Sequence, residues 1–471
     1  MTDRPPLLSC TAAEESGSLK YMLKLAAPMV VTTMSLTLMQ FVDRFMVSRL
    51  GTSSLAAVLP AGFASFLPGS FAIGAMASLN TFVSQSLGRG EKTECPCYFW
   101  QVVWMGVAYF LVVMAIMWPT APQIFRLMGQ PPGVIPQEVI YFRIMLYAHI
   151  PAVINWASNQ FFMGIHRPVV TMCTSFCGQV VNVIVNYLLI FGKFGFPRME
   201  IAGAGWGTFI GISVASAVNM AVFLSGRTNR DFKPRRSLKL DFGKIYDLLK
   251  VGLPAGLGQM LNVSLCGVIL LGLVGRFGQE VLAATSAVLS YAGLSSMPVV
   301  GMSIALSAAV GKSIGEGRKD LAGRQTHLCV QIGLIYMGLV GLCFFLLRNK
   351  LVAFWSSDAR VIEAGVNILI CAAVYQVFDA ARIVYGGSLR GAGDTLWPAV
   401  VSAVGAVLIL GLGGWCVTKL FPATAYMGPW VMSAVSIAGI GVANCWRFKS
   451  NRWMSINLFE RRAAPLPTEI G

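Results

Sequence analysis

Apolar runs of about twenty residues or more, poor in charge, recur along the whole chain, each long enough to cross a bilayer as a helix. Twelve such spans are predicted, at 23–48, 54–86, 98–118, 136–164, 168–192, 203–225, 247–275, 281–312, 327–347, 361–389, 396–419 and 427–447. The longest polar stretch, RTNRDFKPRRSLKLDFGK at 227–244, falls between the sixth and the seventh. The predicted organisation is therefore an N-terminal tail (1–20), a six-helix bundle (21–226), a basic linker (227–246), a second six-helix bundle (247–447) and a C-terminal tail (448–471).

The two halves repeat. LKLAAP, Leu23 to Pro28, returns as LKVGLP, Leu249 to Pro254; RLGTSSLAA, Arg49 to Ala57, as RFGQEVLAA, Arg276 to Ala284; and VSQSLGRG, Val83 to Gly90, as VGKSIGEG, Val310 to Gly317. An even number of spans per half gives both halves the same orientation. The expected fold is all-α and integral to the membrane: two pseudo-symmetric six-helix bundles around a central cavity, related by an axis along the membrane normal.

Composition agrees with this. Of 471 residues, 56% are hydrophobic and 12% charged, with mean hydropathy +0.68, about half the charge of a soluble domain. The net charge of +16 reflects loop orientation, because no compact basic domain is present to bind nucleic acid. With the N-terminus inside, 24 of the 36 lysines and arginines fall in internal loops and tails. Both termini are predicted to be cytoplasmic in a multi-pass protein of the cell (inner) membrane. The first twenty residues lack the apolar run of a signal peptide, so the first span is expected to serve as an uncleaved signal.

Of the eleven cysteines, Cys173, Cys177, Cys266, Cys371 and Cys416 sit in apolar runs and read as small hydrophobes. Cys95 and Cys97, with no second pair or nearby His, are too few for zinc, and His149, His166 and His327 are scattered. No metal and no cofactor are expected.

One charge stands out. Leu25 to Val42 is uncharged, and Asp43 follows, then Arg44 and further apolar residues. A carboxylate at that depth is a functional candidate, the bland alternative being a pair with Arg44 or Arg49 near the membrane surface.

Three segments carry a family resemblance: FVDRFMVSRLG around Asp43, NVIVNYLLIFGKFGFPRMEIAGAGWGT from Asn182 to Thr208, and YQVFDAARIVYGGSLRGAGDT from Tyr375 to Thr395. In this order, within a duplicated twelve-span chain, they resemble the multidrug and toxic compound extrusion (MATE) transporters of the NorM-type branch, over nearly all of residues 20–447. The resemblance implies export of organic, often cationic, compounds in exchange for H⁺ or Na⁺. It implies a coupling site at Asp43 on the first helix, with Asn182 and Asn186 on the fifth and Thr208 on the sixth. The two asparagines, four apart, share one helix face; the alternative is interhelical hydrogen bonding that only holds the bundle together. In the second bundle Asp379 and Tyr375 match the branch's tenth-helix residues. The branch's seventh-helix Glu is Asn262 here, and Arg382 lies one turn after Asp379, close enough to neutralise it. Asp43 is therefore the favoured coupling residue, with Asp379 a second contact for substrate.

Desolvation penalises an ionised carboxyl, so a cavity acid can take up and release a proton near physiological pH. Ion and drug would compete for it. Pro28 would permit a bend in the first helix, with Gly51, Gly88 and Gly90 as hinges beyond the helix ends. The pocket has adaptable candidates in Met39, Phe41, Met46, Phe161, Phe162 and Met163, although most residues of these types face lipid or core. The expected partners are small organic cations and the bilayer, and the expected assembly is a monomer. An ATP-driven pump is excluded because Gly311-Lys312-Ser313 has Leu306 where a P-loop requires glycine. A flippase for a lipid-linked precursor on the same fold is the runner-up; it would want a cluster of cavity arginines, and only Arg44, Arg143 and Arg382 are candidates. No paired carboxylates or Ser-His arrangement at depth suggests an enzyme.

Overall fold

The computed structural model describes residues 18–50, 52–274, 277–356, 358–420 and 426–459, without the side chains of 52–56 and 265–272. Gly51, one of the expected hinges, the side chain of Cys266 and most of both tails lie outside the described residues.

Twelve helical elements stand where the apolar runs place them. In the first bundle they are α1 (Leu19–Ser48), α2 (Thr52–Met76, resuming after Ala77 as Ser78–Gly88), α3 (Cys95–Leu127), α4 (Ile135–Gly164), α5 (Pro168–Phe191) and α6 (Glu200–Phe223). The second has α7 (Phe242–Val274), α8 (Gln279–Gly315), α9 (Lys319–Ala353), α10 (Ala359–Ala392), α11 (Leu396–Leu420) and α12 (Gly428–Lys449). Among the described residues, eleven helices are long and apolar enough to cross a membrane, and α7, 33 residues long, occupies the place of the seventh span. Several run past the apolar windows, α3 to Leu127 and α9 from Lys319 to Ala353, because polar and aromatic residues continue the helix beyond the hydrocarbon.

Local chemistry sets the ends. Ser18 caps α1 by accepting from the Tyr21 amide at 3.2 Å. Proline opens α5, and Gly192, in the left-handed conformation at φ +64°, closes it. Two irregularities had no signal in hydropathy: the break at Ala77, and the π-helical turn of α11 over Gly405–Gly413, in a glycine-rich run.

The bundles meet through swapped partners, α1 against α8 and α2 against α7, the pattern of a two-fold relation between halves. Their close contacts lie towards the end that carries the basic loops. A Cβ on Gly88 would strike the Lys312 carbonyl, and one on Gly315 the Gln85 carbonyl. Asn80 donates to Ile304 O, Thr81 to Arg390 O and Gln85 to Gly391 O, at 3.4, 2.8 and 3.0 Å. Thr33, deeper in α1, donates to Met297 O at 3.1 Å. Beyond it, Leu38, Phe41 and Phe45 of α1 are exposed. The bundles are thus pinched at the basic end and open towards the other. Phe161, Phe162 and Met163 are fully buried in core clusters, the two phenylalanines with Phe99 and Phe223, so they do not line the opening.

Candidate functional site

The α1, α5 and α6 helices bring Asp43, Asn182, Asn186 and Thr208 into one hydrogen-bonded chain. Asn186 Nδ2 donates to Asp43 Oδ1 at 2.7 Å and also to Asn182 Oδ1 at 3.2 Å. Asn182 Nδ2 in turn donates to Thr208 Oγ1 at 3.4 Å, and that hydroxyl donates to the Ala204 carbonyl at 3.0 Å. Both asparagines are buried, whereas Asp43 is half-buried. No ion pair joins Asp43 to Arg44 or Arg49 among the described residues; the Arg49 guanidinium instead lies over the Phe45 ring, 5.1 Å from its centroid. The acid is therefore held by amides, with no cation to fix its charge.

Three neighbours escaped the sequence reading. The Asn186 side-chain oxygen fills the space that a Cβ on Gly207 would occupy, and Gly211 gives Asn182 the same close approach. The signal was present in AGAGWGTFIG, where alternate small residues let α5 and α6 pack closely. Tyr141 of α4 packs against Val47, Ile190 and Ala204 beside the acid. It is one aromatic residue among many, and nothing in its own segment marks it.

The second bundle holds its acid differently. Asp379 and Tyr375 are buried on α10, at 5% and 6% exposure. Arg382 brings Nε and Nη2 to 2.6 Å from Asp379 Oδ1. This is a short, charge-assisted pair one helical turn long. Asn262 is half-buried on α7. It brings an amide, not a carboxylate, to this bundle. Among the described residues no group of His, Cys, Asp or Glu side chains could hold a metal ion.

Known proteins place this architecture. The MatE family profile matches residues 28–188 and 254–413, one stretch in each bundle. A probable multidrug resistance protein NorM of Mesorhizobium japonicum is 29% identical over 391 residues, 81% of this chain and 83% of its own. One from Chromobacterium violaceum is 29% identical over 429 residues, covering 89% and 90%. The multidrug resistance protein PmpM of Pseudomonas aeruginosa is 26% identical over 458 residues, covering 94% of each. Among solved structures, a MATE in complex with MaL6 superimposes with a TM-score of 0.84 at 18% identity, over 92% of this chain and 97% of that one. A multidrug resistance MATE family transporter of the MOP superfamily in its outward-facing conformation gives 0.82 at 19%, over 92% and 96%. At such identities the solved structures speak for the fold alone. The paired profile match and the full-length relatives carry the assignment: this chain belongs to the MatE family, within its NorM-type branch.

Proposed function

We propose that this protein is a secondary active multidrug exporter, ejecting small organic cations in exchange for inward H⁺ or Na⁺, with Asp43 as the shared binding group. The supporting observation is that Asp43 bonds to the neutral amide of Asn186 at 2.7 Å and has no ion pair among the described residues. An acid so held keeps its charge available to whichever cation arrives. Protonated, it can donate to a side-chain oxygen; ionised, it attracts a lipophilic cation. One carboxylate cannot neutralise both, so binding of one cation releases the other.

The energies suffice. In one-for-one exchange the potential energy gained by the inward ion, about 2.3 kcal/mol per 100 mV, is cancelled by the outward organic cation. The drive is then the ion's concentration gradient, about 1.4 kcal/mol for each pH unit. Each tenfold drug gradient costs about 1.4 kcal/mol. In this reading the chain is a monomer in the inner membrane with both tails cytoplasmic, and the boundaries drawn at 21–226, 227–246 and 247–447 separate bundle, linker and bundle. The basic pinched end is then the cytoplasmic gate. Names of relatives that speak of multidrug resistance support the substrate class.

Ethidium efflux from vesicles under separately imposed proton and sodium gradients tests the proposal. The expected result is loss of ion-driven efflux in Asp43→Asn with most of it kept in Asp379→Asn. Efflux that survives the first change and vanishes with the second sinks the assignment to Asp43.

A further inference from the structure

The buried face of α5 is polar along its length. Below Asn186 and Asn182, moving towards the basic end, it presents Gln179, Ser175 and Thr171, each on the same side of the helix. The face turned away is apolar and exposed, with Phe176, Val180 and Ile184. Such a helix has its polarity turned inwards, and its polar groups need partners inside the bundle.

Some of those groups find no protein partner. Thr171 Oγ1, Gln179 Nε2, Ser158 Oγ on α4 and Asn219 Oδ1 on α6 are buried without a protein hydrogen-bond partner among the described residues. Ser158, Thr171 and Asn219 are 0% exposed and Gln179 is 9% exposed. Around them, Asn219 Nδ2 donates to Asn155 Oδ1 at 2.8 Å and reaches Asn159 Oδ1 at 3.5 Å. A leftover donor and leftover acceptors inside one bundle call for water, which satisfies buried polar groups with two to four bonds each. In the second bundle several such groups answer one another, Thr326 with Ser388 at 2.7 Å, Ser313 with Gln325 at 3.1 Å and Gln376 with Ser295 at 2.6 Å, although Gln376 Oε1 and Asn444 Oδ1 are left over there too.

The polar face spans about 22 Å from Asn186 to Thr171 at the rise of an α-helix. Its far end adjoins a cavity of about 610 Å³ at the basic end, lined by Arg167, Val170, Val222, Ser225 and Arg227 among others. Val170 is the chain neighbour of Thr171. Arg167 is held there by Asp231 at 2.9 Å.

The geometry points to a hydrated proton conduit inside the first bundle, running from Asp43 along the buried face of α5 to this basic vestibule. A hydroxyl or a water donates and accepts at one oxygen, which is what a hopping proton requires. The amides of Asn182, Asn186 and Gln179 do not pass the proton themselves but hold the waters in line. Each hop breaks one O–H bond and forms the next, so a proton that leaves the Asp43 carboxyl is matched by one delivered at the vestibule. The conduit rests on the reading of Asp43 as the coupling acid and names H⁺ as its ion.

The test uses the full chain in proteoliposomes, with ethidium as substrate, an imposed pH gradient and a pH-sensitive dye inside. Thr171→Val and Gln179→Leu are expected to slow ethidium-coupled proton flux about tenfold each while ethidium affinity and melting temperature hold. Thr171→Ser, which keeps the hydroxyl, should restore most of the flux. A structural role for these side chains would move stability and flux together and would not follow the hydroxyl. Should both larger changes prevent folding, Ser158→Ala removes a single oxygen and is expected to cost about threefold in flux. Wild-type flux in these variants, with Asp43→Asn inactive, overturns the conduit and leaves the coupling site standing. Wild-type flux in Asp43→Asn overturns the reading on which the conduit rests.

Discussion

Asp43 on the first helix, half-buried, and Asp379 on the tenth, buried, are held in opposite ways. Asp43 bonds to Asn186 at 2.7 Å, backed by Asn182 and Thr208, all neutral. Asp379 lies 2.6 Å from the Arg382 guanidinium. A neutral partner leaves an acid free to change its charge, whereas a cation one turn away fixes it. The duplication did not impose this difference. At the spacing of the repeat Asp43 falls on Ile269 or Leu270, and the second bundle's acid sits on its fourth helix instead of its first. On the proposed function, two copies of one backbone divide labour, one acid exchanging cations and the other holding its bundle together.

The largest effect expected from that comparison is on transport. Asp43→Asn should lower ion-driven efflux at least a hundredfold, about 2.7 kcal/mol in the barrier, and Asp379→Asn less than fivefold, measured as initial rates in vesicles. Equal losses would erase the distinction between the bundles. The next effect is on stability, and in the other bundle. Arg382→Met strands the Asp379 carboxyl, 8% exposed, and should cost about 3 kcal/mol, the lower part of the range for a broken buried pair because the guanidinium is a quarter exposed. Replacing both partners, Asp379→Leu with Arg382→Met, should recover most of that loss in a thermal melt. If the double variant is no better than the single, the pair is not what holds the acid.

A subtler change sharpens the first site. In Gly207→Ala the new methyl takes the space now filled by the Asn186 oxygen, so the amide must turn away from Asp43. Efflux should fall about tenfold, roughly 1.4 kcal/mol, while the proton requirement of the remaining activity persists. Unchanged efflux would mean that the Asn186 contact positions nothing.

The span count, the duplication and Asp43 were legible because each rests on a short-range signal: hydropathy, local identity, and a charge inside an apolar run. Its partners Asn182, Asn186 and Thr208 came from the family resemblance. Arg382 was equally visible, since a helix places residues three apart side by side. The dependence of Asn186 on Gly207 was not, because it needs the depth at which two helices cross. The inward polarity of α5 was legible in part. PVVTMCTSFCGQVVNVIVNYLLIF carries Thr, Ser, Gln and Asn at helical spacing, but its mean hydropathy is still that of a span. Hydropathy averages over a face that only packing reveals. Phe161 and Phe162 show that residue type alone does not make a pocket, since packing makes them core, as most residues of these types are expected to be.

The smallest predicted effect lies where the two bundles touch. His166, in the turn between α4 and α5, adopts φ +60°. Its Nε2 lies 3.2 Å from the Ala308 carbonyl of α8 and its Nδ1 lies 2.8 Å from the Tyr21 hydroxyl of α1. A carbonyl can only accept, so Nε2 carries the proton, and a neutral ring then accepts from Tyr21 at Nδ1. Burial, aided by the nearby charge of Lys312, brings the His166 pKa down to about 4. The folded protein thus binds fewer protons here than the unfolded chain, whose histidine titrates near 6.5. Stability must fall as pH drops from about 6.5 towards 4 and hold steady above that window. Between pH 7 and pH 5.5 the loss should be about 1 kcal/mol, read as a lower melting temperature of the purified protein in detergent. His166→Gln, which keeps a neutral donor within reach of α8, should flatten that slope without changing Asp43-dependent efflux at pH 7. An equally steep slope in the variant would place the acid sensitivity elsewhere, and the contact between the bundles would then be indifferent to pH.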